Sequence, residues 1–63
     1  MSPAALDLIA IYRADANELR RMAARVNYLA AGSDAATALR KLARQSLDKA
    51  RAVKRSAAQK EAA

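Results

Sequence analysis

The chain has 63 residues and a formal net charge of +6, with no cysteine, histidine, phenylalanine or tryptophan and only one glycine and one proline. That length limits it to one small domain without disulfides. The missing residue types exclude cysteine nucleophiles and thiolate zinc sites, and they remove the usual proton shuttle and the commonest metal ligand. Although 54% of the residues are hydrophobic, nineteen of the 63 are alanine. Alanine favours helix but adds little burial energy.

In chain order, Ser2-Pro3 opens a helix, with serine as N-cap and proline at the first helical position. Nothing breaks that helix before Ala31, so the first element is expected over about residues 3–31. Gly32 suits the left-handed position just past a helix end, and Ser33 or Asp34 can cap a second helix. That second helix is expected over about residues 34–58, with residues 57–63 as a frayed tail. No segment alternates at period two, so no strand is expected. The predicted fold is therefore an all-α antiparallel two-helix hairpin, a single domain.

At about 100° per residue, the first helix places Leu8, Tyr12, Leu19, Met22, Val26 and Leu29 on one stripe, with Ala16, Ala23 and Ala30 along its edge. The second places Leu39, Leu42, Ser46, Ala50, Val53 and Ala57 on a stripe, with Ala36 and Ala43 alongside. Both follow alternating steps of three and four, the pattern of coiled-coil packing. Alanine also recurs every seven residues in both helices. That spacing suits closely approaching axes, and equally a good helix former in a good helix. A turn centred near Gly32 sets residue i opposite roughly residue 65 − i, so Val26 meets Leu39, Tyr12 meets Val53, and Asp15 pairs with Lys49 across the hairpin to fix register. Leu6, Ile11, Tyr28 and Leu47 fall outside or at the edge of the stripes and are candidate contacts for another protein. Apolar residues left over on a two-helix unit predict a homodimeric four-helix bundle, or docking on a larger protein.

The charge is uneven. Residues 1–31 carry a net of +1, and residues 32–63 carry +5. In the second helix Arg40, Arg44, Arg51, Lys54 and Arg55 fall within an arc of about 100°, with Lys41 just beyond it. Guanidinium groups along one side of a helix suit phosphate, which they bind bidentately while staying charged. A solvated face that keeps an alanine-rich helix soluble has the same pattern. For base readout Asn17, Asn27 and Gln45 are the candidates. Tyr28 alone is no stacking platform.

Chemistry finds little to work with. Ser33 and Ser46 have no histidine to activate them, no glycine-rich phosphate loop is present, and the six acids form no pair suggesting a pocket. No cofactor, metal or small-molecule substrate is expected. The first residues lack a basic region, the apolar run from Leu8 to Tyr12 is too short for a secretory signal, and no run approaches the roughly 20 apolar residues of a membrane span. The basic stripe lacks the aromatic anchors of a membrane-lying helix. A soluble, cytoplasmic protein is expected.

Residues 17–27 read Asn-Glu-Leu-Arg-Arg-Met-Ala-Ala-Arg-Val-Asn. The spacing of Asn17, Leu19, Met22, Ala23, Arg25, Val26 and Asn27 resembles a helical motif of bacterial plasmid-mobilisation accessory proteins, small basic partners of a relaxase at a transfer origin. Glu18, Arg20 and Arg21 depart from that pattern, and the ribbon-type DNA-binding segment that precedes the motif in that family has no counterpart here. The resemblance implies a DNA-associated role. Three functions are therefore expected as alternatives: a basic module on nucleic acid or a nucleoprotein; a mobile-element type adaptor or inhibitor of a larger complex; or a homo-oligomeric assembly unit.

Overall fold

The computed structural model describes residues 1–62 as two helices, α1 (Pro3–Leu29) and α2 (Asp34–Ala62), folded back on each other. Ser2 takes extended backbone angles and its Oγ accepts the Ala5 N–H at 3.2 Å, so the expected cap and Pro3 start α1 together. The helix closes two residues earlier than the sequence suggested, and the closure has a side-chain cause. Asn27 Oδ1 accepts the Gly32 N–H at 3.2 Å, while the Ala30 N–H donates to the Val26 carbonyl at 2.8 Å. Gly32 has a φ of 75°, the left-handed region that a side chain disfavours. Ser33 then starts α2: its Oγ accepts the Ala35 N–H at 3.1 Å, and Asp34 puts a negative charge in the first turn. α2 runs on to Ala62 rather than ending near residue 58, and the amino group of Met1 forms an ion pair with Glu61 at the open end. Expected fraying at Ala63 lies outside the described residues.

The core differs from the expected one. Every buried residue described is alanine: Ala16, Ala23, Ala36, Ala43 and Ala50. Between them Ile9, Tyr12, Leu19 and Val26 on α1, and Leu39, Ser46, Val53 and Ala57 on α2, are half-buried. Alanine therefore forms the centre of the seam, not its edge. Leu8, Met22, Leu29 and Leu42, expected in the core, are exposed. The reason is steric. Helix axes are separated by what lies between them, and a seam of methyl groups lets two backbones approach so closely that larger side chains must point past the contact. Leu8, Met22 and Leu42 each directly precede a core-facing residue, so they sit about 100° off the seam.

Register moves accordingly. The two long-range side-chain pairs, Met1 with Glu61 and Tyr12 with Lys49, set residue i opposite about residue 62 − i, nearly one helical turn from the expected pairing. Across Cα atoms the hairpin measures 49 × 15 × 9 Å, a narrow slab about as long as its helices.

Candidate nucleic-acid interface

Which side chains share a flank is decided by the seam. In an antiparallel pair, the residue directly after each core-facing position turns to the same side of both helices. In this chain those positions hold Arg13 and Arg20 on α1 and Arg40, Arg44, Arg51 and Lys54 on α2, and none of them is acidic. The structure brings these six together along one flank. Arg20, Arg40, Arg44 and Arg51 line an open groove between the helices, floored by Ala24 and Leu47, with Asp48 at its rim. A second groove continues toward the chain ends, where Arg13, Arg51 and Lys54 surround Leu6, Ile9 and Leu47. Arg51 and Leu47 belong to both, so the basic strip is continuous.

Internal carboxylates leave this strip nearly untouched. Arg51 Nη1 lies 3.5 Å from Asp48 Oδ1, both largely solvent-exposed, a contact that water and salt screen easily. Glu18 is held by Arg21 at 3.1 Å, away from the strip. Among the described residues no other ion pair involves a member of the strip. From Arg40 to Lys54 the strip is about 21 Å long, a length over which one strand of duplex DNA carries about six phosphates.

The structure sorts the sequence candidates. Arg40, Arg44, Arg51 and Lys54 share the grooved flank. Lys41 and Arg55 are exposed and line neither groove. Arg13 and Arg20 complete the strip from α1, and reading α2 alone missed them. The signal was present, since each follows a core residue and the two are seven apart. Of the possible protein contacts, Leu6 and Leu47 lie in the basic groove, whereas Ile11 and the 89% exposed Tyr28 lie outside it. Asn27 is committed to the turn. The expected Asp15–Lys49 ion pair is replaced: the Lys49 ammonium sits 5.9 Å from the centroid of the Tyr12 ring, within reach of a cation–π contact. In this register Lys49 lies level with residue 13, next to Tyr12, and its ammonium is taken up by that ring.

Among the described residues no cluster of acids could hold a metal ion, and no helix is long and apolar enough to cross a membrane. No protein-family model, curated protein or solved structure was found to match the chain.

Proposed function

We propose that the hairpin is a non-catalytic binding module that docks on the phosphates of nucleic acid or a nucleoprotein through its basic flank. The observation that carries this reading is the convergence of four guanidinium groups, Arg20, Arg40, Arg44 and Arg51, from two helices on one open groove. A face serving only solubility has no reason to gather arginine from both helices on the same side. Arginine stays charged and grips phosphate bidentately, and phosphate contact gives affinity that is salt-dependent and largely indifferent to sequence. The side chains at the strip favour that mode over base readout. The resemblance of residues 17–27 to plasmid-mobilisation accessory proteins agrees with a DNA-associated role, although its matched positions Leu19, Ala23, Val26 and Asn27 serve the seam and the turn.

The test compares two triple variants of equal charge in binding a duplex oligonucleotide across a salt series. Replacing Arg20, Arg44 and Arg51 with Gln removes the strip. Replacing Arg21, Arg25 and Arg55 with Gln removes three arginines that line neither groove. Each phosphate contact contributes about 0.9 to the slope of log K against log salt, so the strip variant is expected to flatten it by up to about 2.7 units and the other variant by much less. Equal slopes, or binding that ignores salt, would refute the proposal.

A further inference from the structure

A chain of this size in which every buried residue described is alanine has little core of its own, and oligomerisation is one of the few ways such chains become stable. Leu6 lies on the basic flank and Tyr28 and Leu29 beside the turn, but four of the apolar side chains that the seam leaves out fall together. Leu8, Ile11 and Met22 on α1 and Leu42 on α2 are exposed, and each directly precedes a core-facing residue. They therefore share the flank opposite the basic strip. Midway along that flank the charges are opposite: its α1 side carries Asp15 and Glu18 and its α2 side Lys49, with Arg25 nearer the turn and Lys60 nearer the chain ends.

We propose that this flank seats a second copy of the chain, related by a two-fold axis parallel to the helices, with both turns at the same end. Charge complementarity selects this occupant. Such an axis sets α1 of one copy against α2 of the other and preserves height along the hairpin, so the rule that places residue i level with residue 62 − i holds between copies as well. Asp15 then lies within two residues, about 3 Å, of the level of Lys49 of the second copy. Met22 lies equally close to Leu42. Within its own chain Asp15 has no ion pair among the described residues, and the Lys49 ammonium faces only a tyrosine ring. A two-fold axis across the helices would instead lay α1 on α1, where Asp15 and Glu18 straddle the midpoint and acids meet acids. Meeting through the other flank would oppose the two basic strips.

Size agrees as well. A face of 49 by 15 Å between Cα atoms is roughly 700 Å², close to the ~800 Å² per partner of a standard interface. Both basic strips remain outside.

Sedimentation equilibrium with charge-swapped chains tests the pairing. Asp15→Lys alone and Lys49→Asp alone each turn two symmetry-related attractions into repulsions and are expected to weaken dimerisation on the order of ten-fold. An equimolar mixture of the two variants re-forms both attractions and recovers dimer, which pairing within one chain cannot do. A wild-type chain that is helical yet monomeric at every concentration, or a mixture no tighter than its components, overturns the proposal. The chain has no cysteine, so a nitroxide on Ala31→Cys reports the axis. A short distance between copies is expected, and one near the 49 Å length of the hairpin overturns the parallel axis.

Discussion

Ala23 is completely buried in the seam, and enlarging it to leucine tests whether methyl groups set the spacing of the helices. Leucine adds three carbons at a position level with the half-buried Leu39 of α2, between the buried Ala36 and Ala43. The new bulk must displace Leu39 or push the axes apart, and either loosens the packing of Leu19, Val26 and Leu39. Overpacking of this kind costs about 1–3 kcal/mol, partly offset by extra apolar area. For a chain this small each kcal/mol lowers Tm by about 4–8 °C. Ala14 is exposed on the outer side of the same helix, and Ala14→Leu adds the same atoms at nearly the same helix propensity, so its effect should stay within about 0.5 kcal/mol. The assay is thermal melting by far-ultraviolet circular dichroism at matched protein concentration. If Ala23→Leu melts at or above the wild-type temperature, the alanines do not set the spacing of the seam.

Gly32→Ala isolates backbone strain, because nothing lies within 4 Å of an added Cβ while φ is +75°. A loss of about 1–2 kcal/mol is expected in urea unfolding, with Gly32→Asn losing less. Asn27→Ala removes the acceptor of the Gly32 N–H and should cost about 0.5–1.5 kcal/mol, whereas Asn27→Asp keeps the acceptor and most of the stability. Self-repulsion along the basic strip should make the free protein more stable as salt rises from roughly 0.05 to 0.5 M. A Tm that falls over this range would mean that net attraction governs the surface.

The two helix starts and the turn were legible because local chemistry decides them, Ser2-Pro3 at the first and Gly32 followed by a capping serine at the second, whereas the ends at Leu29 and Ala62 were not. The role of Asn27 was not legible, since an amide near a helix end suits base readout and capping alike until its partner is known. Core and flank were confused for a physical reason. A hydrophobic period marks a face about 100° wide, and whether Leu42 or Ala43 occupies its centre depends on how closely the partner helix approaches, which no single helix encodes. The alanine spacing was visible, but the pull of the larger side chains on the stripe placed it at the edge. The charge census hid Arg13 and Arg20 in a similar way. Asp7, Asp15 and Glu18 cancel most of the charge of α1 in the sum, yet none of them directly follows a core-facing residue, so they leave Arg13 and Arg20 uncancelled at the basic flank.

The thin core and the basic strip are consequences of one arrangement. When two helices meet through methyl groups, their flanking positions are drawn together, and side chains from both can reach into one groove. That is how Arg20 comes to line the same groove as Arg40, Arg44 and Arg51. A leucine-sized seam would hold the axes farther apart, and the same arginines would then form two separate rows, each facing its own solvent. Close approach also leaves Leu8, Ile11, Met22 and Leu42 outside the contact, on the flank that carries Asp15 and Lys49. An interior too small to hold these residues thus divides the surface into two chemically distinct flanks, one lined by arginine and lysine and one by exposed aliphatic side chains.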